Sequence, residues 1–552
     1  MSKMLTSSRV KAFRGLRGNG WERKGHRLLD APDEALRSER DASQVISRDD
    51  ELLATLGYKR ELNRGLGLFE NWAATFSCMN FVSGMPVLFG WVMMTGGPQA
   101  AITSWTVVST VSCLLALAMA EIAAALPTAG GIYYWAYRLG GSEWGPFLSW
   151  MTAWWNWSAW ILAVPGTQQG ATNFLVSALQ INYPDADFVS QSWFSLVVIL
   201  LGLVIALIPN ITNQSLLRIY FRFAIGIFLI LFFLFWIWFP IAVAGRFQSP
   251  SFVFQTFHNG INHGPTQQAS NAYCWAISFL FGAWEFGGYD ASAHLAEETK
   301  DASKTVARGM YLSTLSTTLL SIPTLILILF CIQDFDALIS ATYANNWAEF
   351  LVQVVGPRGA TAILLLSWID CTCATAAVIL SAQRVTFAIS RDNILPGSHL
   401  FRRVSGNNAA PVNAALLVVA IAALVSLTVL GSSVAFSAIT ATTVICQSMS
   451  YLFVLFTRYT FGKTTFEPAA WNLGFLSRPI GYLSILWLTF LSCILLLPQV
   501  FPVTMRTLNY APICLIIVTA VSFIGWLLPF GMGGRHWFKG PCNTVAAQPE
   551  ET

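Results

Sequence analysis

Charged residues are scarce in this sequence, and where they are missing excludes a water-soluble globular protein. Asp, Glu, Lys and Arg make up 11% of the chain, roughly half the share usual in soluble domains, whereas hydrophobic residues make up 55%. Long stretches carry no charge, among them residues 145–184, 188–217, 223–245, 309–333 and 404–457. Each is long enough for at least one membrane span of about 20 residues. The composition therefore predicts an integral membrane protein.

The chain also lacks the signatures of an enzyme or a metalloprotein. It contains no HExxH or GxSxG motif and no pair of carboxylates at catalytic spacing. Most of its ten cysteines fall inside the apolar stretches, which argues against a disulfide framework or a zinc site. We therefore predict no catalytic residues, no metal and no cofactor.

Breaking the apolar stretches at Pro, Gly and charged residues gives about twelve spans. Their predicted centres are Gly84, Cys113, Trp157, Leu203, Phe232, Gly282, Leu320, Cys371, Val419, Cys446, Leu488 and Val521. The predicted organisation is a cytoplasmic tail over residues 1–65, a transporter domain over 66–530 and a second cytoplasmic tail over 531–552. The first tail is polar, has no signal-peptide core and is expected to be disordered.

The distribution of positive charge predicts the orientation in the membrane. Residues 1–65 hold 14 of the 32 Lys and Arg, and the odd-numbered loops hold only Arg246, Arg358 and Arg506. By the positive-inside rule, both termini are expected in the cytoplasm. The net charge of +4 therefore reflects topology and argues little for nucleic acid as a partner.

Two of the predicted spans are interrupted by residues that disfavour a helix. The first span contains Ser83-Gly84-Met85-Pro86, and the sixth contains Phe281-Gly282-Ala283-Trp284-Glu285-Phe286-Gly287-Gly288. A broken helix in lipid leaves backbone groups unpaired, so it persists only where those groups face protein, a cavity or a ligand. A matching pair of interrupted spans indicates the substrate site of a secondary transporter built from inverted repeats.

Four carboxylates lie in or beside apolar segments, where each costs at least ~2.5 kcal/mol to insert near the bilayer centre. Glu285 sits within the second interruption and could receive a substrate ammonium or exchange a coupling proton; accepting backbone hydrogen bonds is the structural alternative. Asp370, inside the eighth span, is either a proton site or bonded to Ser and Thr of a neighbour. Glu121 and Asp290 are expected to be structural, as acceptors at a gate or at helix interfaces.

Two further patterns have a functional and a structural interpretation. The tryptophan ladder Trp150, Trp154 and Trp157, with Trp155 and Trp160 beside it, could form a cation–π cage, although packing and interfacial anchoring are commoner uses of tryptophan in membranes. The loop pairs Glu297-Glu298 and Arg391-Asp392 could close an inward gate through ion pairs. The alternative for these charges is a solvated loop surface, where each exposed pair contributes ~0–1 kcal/mol.

Several motifs together resemble the amino acid–polyamine–organocation superfamily. They are the run from Glu121 to Trp135 (EIAAALPTAGGIYYW), the Ser83-Gly84 break, the Gly287-Gly288-Tyr289-Asp290 run with His294 and Glu297-Glu298-Thr299 behind it, and Ser390-Arg391-Asp392-Asn393 before Ile-Leu-Pro396. Within the superfamily, the chain is similar to the fungal branch of amino acid, GABA and choline permeases. The resemblance covers roughly Leu62 to Pro529, with the motifs in the expected order.

This resemblance implies an all-α membrane fold in which spans one to five and six to ten are inverted repeats, helices one and six are discontinuous, and two spans are appended. It places a substrate carboxylate on the backbone N–H groups of Ser83, Gly84 and Met85. The substrate amine would meet carbonyls of Phe281, Gly282 and Ala283, with Trp284 as a lid. Some proton-coupled relatives carry a basic residue midway along the fifth span; residues 223–238 here have none.

The sequence thus predicts a permease that imports amino acids or related amines such as GABA by alternating access, driven by protons at Glu285 or Asp370. A choline or polyamine permease of the same fold is the alternative, and a membrane receptor without transport activity is the rival from another class. The plasma membrane is favoured over the vacuolar membrane. The expected partners are the small-molecule substrate, protons and the lipid bilayer.

Overall fold

The computed structural model describes residues 48–541, except residues 63, 213, 264–266, 405–409, 432–434 and 506. These residues form helices joined by turns, and over the described ranges the only β-pairing consists of the isolated bridges Leu66 to Thr299 and Asn262 to Phe501. The predicted all-α fold class is therefore confirmed. The tail residues 1–47 and 542–552, with the predictions made for them, lie outside this description.

The first half of the described chain contains twelve α-helices. They are α1 (residues 48–55), α2 (Leu68–Cys78), α3 (Phe81–Thr95), α4 (Gly97–Ala125), α5 (Ile132–Asn182), α6 (Ser192–Ile211), α7 (Gln214–Phe233), α8 (Phe239–Ala242), α9 (Pro250–Gln255), α10 (Asn271–Ile277), α11 (Phe279–Glu285) and α12 (Ala291–His294).

The second half adds nine α-helices. They are α13 (Ala302–Phe330), α14 (Phe335–Ser340), α15 (Trp347–Arg391), α16 (Ser398–Phe401), α17 (Val412–Ser426), α18 (Ala435–Tyr459), α19 (Ser477–Leu495), α20 (Ala511–Leu527) and α21 (Gly534–Trp537).

The helices account for the twelve predicted spans. Within the described residues, nine helical segments are long and apolar enough to cross a membrane, with α2 and α3 forming one of them. The remaining three predicted spans correspond to α5, the pair α10–α11 and the 17-residue helix α20. Helix α5 runs over 51 residues because a short helix is joined to the span at Gly141, whose φ of 69° marks a kink. The chain is a multi-pass integral membrane protein.

The first broken span is interrupted four residues earlier than predicted. Helix α2 ends at Cys78 and α3 begins at Phe81, so the non-helical residues are Met79 and Asn80. The Met79 carbonyl accepts a hydrogen bond from Thr317 of α13 at 3.3 Å, which satisfies a group that the break exposes. Pro86 lies inside α3 instead, because a proline in the second turn removes only one intrahelical N–H bond.

The sixth span is interrupted later and over fewer residues than predicted. Residues 279–285 are helical, and the break begins at Phe286, where α11 ends. Gly288 has a φ of 90°, a left-handed conformation that a side chain disfavours. Helix α12 resumes at Ala291. The glycine pair, and not the run from Phe281, therefore ends the helix.

The long helices pack so that both breaks lie in the interior. Helix α5 packs extensively against both α15 and α18, and α4 packs extensively against α13. The half-helices α3 and α11 contact each other and α4, so the broken spans are held between these two groups. A cavity lies at this crossing.

Part of the predicted N-terminal tail is folded onto the helices. Residues 48–55 form α1, and Leu53 and Tyr58 are buried. Asp49 accepts hydrogen bonds from the backbone N–H groups of Asp301 and Ala302, at 2.8 and 3.3 Å, at the start of α13. Residues 48–62 therefore belong to the folded body because they supply apolar and hydrogen-bonding contacts that a solvated tail does not make.

Candidate functional site

A cavity lies between the two helix breaks and is closed laterally by α5, α15 and α18. Its lining is mostly small and apolar, with a few polar groups and two tryptophans. The residues that line it are Cys78, Asn80, Ser83, Gly84, Val87, Ala159, Trp160, Ala163, Thr167, Trp284, Glu285, Gly287, Gly288, Cys371, Ala374, Val378, Thr443, Val444 and Gln447. This arrangement is typical of a small-molecule site between helices.

The amino end of α3 contributes free backbone N–H groups to the site. They lie two residues earlier in the chain than the predicted set. The Gly84 N–H donates to the Asn80 carbonyl at 2.8 Å, which closes the first turn of the helix. Helix geometry leaves the three preceding N–H groups, of Phe81, Val82 and Ser83, without an intrahelical acceptor. Of the predicted set, Ser83 therefore keeps a free N–H, whereas Gly84 and Met85 are inside the helix.

The carboxyl end of α11 contributes free carbonyls, also displaced from those predicted. The Gly282 carbonyl accepts the Phe286 N–H at 2.9 Å, which leaves the later carbonyls of Ala283, Trp284 and Glu285 without an intrahelical donor. The Phe281 ring instead packs on Trp105, with ring centroids 4.8 Å apart. Of the predicted carbonyls, only that of Ala283 is at the open end.

Glu285 lies against Gly84, at the point where the two broken spans meet. A Cβ atom added to Gly84 would overlap the Oε2 atom of Glu285, so only glycine leaves room for this carboxylate. The Glu285 side chain is buried, and its Oε1 atom has no hydrogen-bond partner among the described residues. A buried carboxylate without a partner is costly, which makes this group available to a ligand or a proton.

Asp370 is the second carboxylate at the amino end of α3. It accepts a hydrogen bond from the Asn80 side chain at 2.6 Å, and the Ser83 hydroxyl lies beside it. Its Oδ1 atom is buried and has no partner in the described part of the chain. Asp370 contacts Asn80 and Glu285 contacts Gly84, so both carboxylates lie at the same helix end. Among the described residues that line the cavity, no Lys or Arg balances them.

The tryptophans that reach the cavity are Trp160 and Trp284. Trp284 also packs against Gly166 of α5, which leaves space for the indole ring. The predicted cage residues Trp150, Trp154 and Trp157 are absent from the lining. Trp150 donates to the Ser522 carbonyl and Trp157 to the Thr386 hydroxyl, at 2.9 Å each. Trp150 and Trp157 therefore pack between helices, which is the commoner use of tryptophan in membranes, whereas Trp160 beside the ladder lines the cavity.

Asp290 is a buried hydrogen-bonding centre beside the cavity. It accepts hydrogen bonds from Tyr451 at 2.6 Å, Asn156 at 3.0 Å, Trp160 at 3.1 Å and Gln447 at 3.2 Å, and it contacts His294 Nε2 at 3.2 Å. These partners come from α5, α12 and α18. Asp290 thus connects the second broken span to two intact spans, which agrees with its predicted structural character.

An ion-pair cluster closes the end of the bundle that is predicted to face the cytoplasm. Glu297 binds Arg391 through two hydrogen bonds of 3.0 and 3.1 Å, and its Oε1 atom also accepts the Ala129 N–H. Glu298 pairs with Arg384, at 2.5 Å to Nε. All four side chains are buried. Paired arginines of this kind fix the loop after α12 to the end of α15.

Asp392 takes part in this closure through tyrosines. It accepts hydrogen bonds from Tyr133 at 2.7 Å and Tyr58 at 3.1 Å, and the Arg391 guanidinium lies 4.0 Å above the Tyr58 ring. Burial raises the pKa of the Tyr58 hydroxyl well above its ordinary value, so this group remains a donor. Residues 48–62 therefore cover the ion-pair cluster.

Glu121 is not part of the ion-pair cluster. Its carboxylate accepts hydrogen bonds from the Leu473 N–H at 3.1 Å and the Ser477 hydroxyl at 2.5 Å, at the start of α19. Glu121 was predicted to be an acceptor either at a gate or at a helix interface. The structure places it at a helix interface, away from Arg391.

Three residues that contact the predicted functional groups were not predicted from the sequence: Asn80, Tyr58 and Arg384. Arg384 had a signal, because it is the only basic residue between Arg358 and Arg391, close to the end of the predicted eighth span. Asn80 lies three residues before the predicted break, and asparagine is a residue type preferred at a helix N-cap. For Tyr58 the sequence offers no signal, since it lies in a polar segment.

Comparison with known proteins agrees with this architecture. The family model described as "Amino acid permease" matches residues 69–520. The chain is 31% identical to the thiamine transporter thi9 of Schizosaccharomyces pombe, over 89% of this chain and 86% of that protein. It is 30% identical to the amino-acid permease BAT1 of Arabidopsis thaliana, over 89% and 96%. A putative polyamine transporter of Candida albicans is 25% identical, over 91% of each chain.

The helical bundle, the two broken spans and the cavity between them define a membrane permease. The chain belongs to the amino acid permease family of the amino acid–polyamine–organocation superfamily. Its relatives include plant as well as fungal proteins, so the finer placement in a fungal branch stays a prediction.

Proposed function

We propose that this permease carries a small substrate with a positively charged nitrogen, and that the substrate's ammonium group binds at Glu285. The observation that supports this most directly is the buried Glu285 carboxylate, whose Oε1 atom has no partner in the described residues. An ammonium would supply the missing partner, and the free carbonyls at the end of α11 would accept its remaining hydrogen bonds. Trp160 and Trp284 offer ring faces to the same group.

The charge balance of the cavity favours a cation without a carboxylate. A polyamine ammonium can also donate hydrogen bonds to Glu285, whereas the quaternary ammonium of choline has no N–H and would offer only its charge. Glu285 and Asp370 both lie at the amino end of α3, where a substrate carboxylate was predicted to bind. A third carboxylate there would be repelled by two others. Relatives named as a thiamine transporter and a putative polyamine transporter are compatible with substrates beyond amino acids.

A zwitterionic amino acid such as GABA is the second candidate. The free N–H groups of Phe81, Val82 and Ser83 support it, because a helix amino end attracts an anion. Such a substrate requires one of the two carboxylates to be neutral. We propose that Glu285 or Asp370 then carries the coupling proton, which ties uptake of a zwitterion to acidic external pH.

We further propose that transport is import by alternating access, with both termini in the cytoplasm and the plasma membrane as the location. The repeats would comprise spans one to five and six to ten, with the last two spans appended. The ion pairs of Glu297 with Arg391 and of Glu298 with Arg384 would form the closed inner gate. They would separate when the site opens inward.

The test is uptake of labelled choline, putrescine, GABA and neutral and basic amino acids by permease-deficient cells expressing this chain. Uptake is measured at mildly acidic and at neutral external pH, for the wild type and for Glu285→Gln. For a cationic substrate we expect Glu285→Gln to lower uptake by at least tenfold at both pH values. For a zwitterion coupled through a proton at Glu285, we expect the variant to lose the pH dependence of uptake; if Asp370 carries the proton, that pH dependence remains.

Two results would count against the proposal. Uptake that is unchanged in Glu285→Gln, for every substrate and at both pH values, removes Glu285 from the site. Binding of a substrate by the purified protein without any flux, in cells or in proteoliposomes, would support the receptor alternative instead. Surface expression, measured on a tagged chain, separates either result from misfolding.

A further inference from the structure

A second groove lies outside the transport cavity, between the first half-helix and the fifth span. Its walls are apolar and include Phe69 and Ala73 of α2, Phe221 of α7 and Leu295. Arg218 and Arg222 stand one turn apart on α7 at the rim of this groove. The transport mechanism proposed above uses neither arginine.

Both arginines are available to an anion. They are exposed, and neither forms an ion pair with a carboxylate in the described part of the chain. The two acidic residues in the lining are already engaged, since Glu70 accepts the Gly67 N–H at 3.1 Å and Glu298 pairs with Arg384. Glu298 is thereby neutralised by Arg384, so the two arginines outnumber the one remaining acidic charge in the lining, that of Glu70.

The surroundings of the groove are those of a surface in contact with lipid tails. Ile219 and Phe223, next to the arginines on α7, are 61% and 51% exposed, and Phe69 on the opposite wall is 54% exposed. In a membrane protein, such apolar side chains at a span end face acyl chains. Arg218 donates one hydrogen bond to the Ser215 hydroxyl, at 3.4 Å, and keeps its charge. An apolar groove with two exposed arginines at its rim thus matches a molecule with an acyl chain and an anionic head group.

We propose that this groove binds an anionic phospholipid, with the phosphate at Arg218 and Arg222 and one acyl chain along Phe69 and Phe221. Basic pockets between spans on the cytoplasmic side bind anionic lipid head groups in this way. The site touches α2, which carries the first break, and Glu298 of the ion-pair cluster. Lipid bound here contacts both elements, so its presence alters the rate of transport.

The experiment measures binding of the purified full-length chain to fluorescent phosphatidylserine, with phosphatidylcholine as the uncharged comparison. In the double variant Arg218→Gln with Arg222→Gln, we expect phosphatidylserine to bind about 30-fold more weakly, about fivefold for each arginine. Phosphatidylcholine binding should not change. The control Arg402→Gln with Arg403→Gln removes two exposed arginines elsewhere and should retain wild-type binding.

Two further arms distinguish a lipid from a free anion. Phe69→Ala should weaken phosphatidylserine binding severalfold, because it removes part of the apolar wall while keeping both arginines. Inorganic phosphate at millimolar concentration should compete poorly, since it lacks an acyl chain. Equal loss in the Arg402/Arg403 control, or binding that is insensitive to head-group charge, would overturn the proposal. So would full displacement by phosphate, which would indicate a soluble anion site.

Transport gives an independent readout. In proteoliposomes, wild-type flux should rise severalfold when phosphatidylserine replaces part of the phosphatidylcholine, and the Arg218/Arg222 double variant should not respond. Its flux in pure phosphatidylcholine should equal that of the wild type, which shows that the variant is folded. A wild-type response that persists in the double variant would contradict the proposal.

Discussion

Gly84 and Glu285 are in direct contact, and this contact joins the two broken spans. The carboxylate of Glu285 occupies the space where any other residue at position 84 would place its Cβ atom. Gly84 has an ordinary helical conformation inside α3, so close approach explains the glycine and backbone flexibility does not. The glycine of the predicted break is thus a spacer for the carboxylate of the other break.

Gly84→Ala should therefore abolish most transport. The added methyl group forces Glu285 away from the end of α3, and overpacking of this kind costs about 1–3 kcal/mol. We expect uptake to fall by at least tenfold while surface expression is retained. Gly226→Ala is the matched control, because a Cβ atom at this glycine of α7 meets open space. Wild-type uptake by Gly84→Ala would show that Glu285 need not hold this position.

Asp370→Asn tests the second carboxylate. If Asp370 binds the coupling proton, the wild type takes up substrate faster at mildly acidic pH and the variant does so equally at both pH values. Asparagine keeps the size of the side chain and can still contact Asn80, which limits structural damage. The measurement is initial uptake rate against external pH. A variant with the wild-type pH profile would assign the proton to another group.

The two helix breaks show how much of the structure local sequence signals can predict. Gly and Pro correctly indicated that the first and sixth spans are interrupted, yet both predicted positions were displaced by several residues. Pro86 is tolerated within the second turn of α3, and the carbonyl freed at Met79 is satisfied by Thr317 of another span. Where a membrane helix breaks depends on which neighbour can accept or donate the freed backbone bonds, and a single sequence does not contain that pairing.

The ion-pair cluster was also only partly predictable, because the sequence shows which charges lie near each other but not which of them pair. Charges flanking apolar spans identified Glu297, Glu298, Arg391 and Asp392 as a group, and the structure brings them together. The partner of Glu298 is nevertheless Arg384, one and a half to two helical turns before Arg391 on the same helix. Likewise, the helical spacing of the tryptophan ladder identified a shared face but not what that face packs against.

Glu297→Gln should open the predicted inner gate. It leaves the buried Arg391 guanidinium without its charged partner, and breaking a buried pair from one side costs about 3–5 kcal/mol. We expect the purified variant to melt several degrees lower. The reversal Glu297→Arg with Arg391→Glu should recover part of that loss. Lys304→Gln, which removes an exposed pair with Asp301, should change the melting temperature little.

Tyr58→Ala should release residues 48–62 from the ion-pair cluster. The variant loses both the hydrogen bond to Asp392 and the ring beneath Arg391, whereas Tyr58→Phe loses only the hydrogen bond, worth about 1 kcal/mol. The measurement is limited trypsin digestion of the purified chain, followed at the bonds after Lys59 and Arg60. We expect cleavage to be fastest in Tyr58→Ala, intermediate in Tyr58→Phe and slowest in the wild type.

The control for this series is Tyr183→Phe, at an exposed tyrosine beyond the end of α5, which should cleave at the wild-type rate. If Tyr58→Ala and the wild type are cut equally fast, the contacts of Tyr58 do not hold the segment in place. If instead the ring matters more than the hydroxyl, Tyr58→Phe will lie close to the wild type. The packing of Arg391 on Tyr58 would then dominate over the hydrogen bond to Asp392, since a guanidinium stacked on an aromatic face retains its attraction without the hydroxyl.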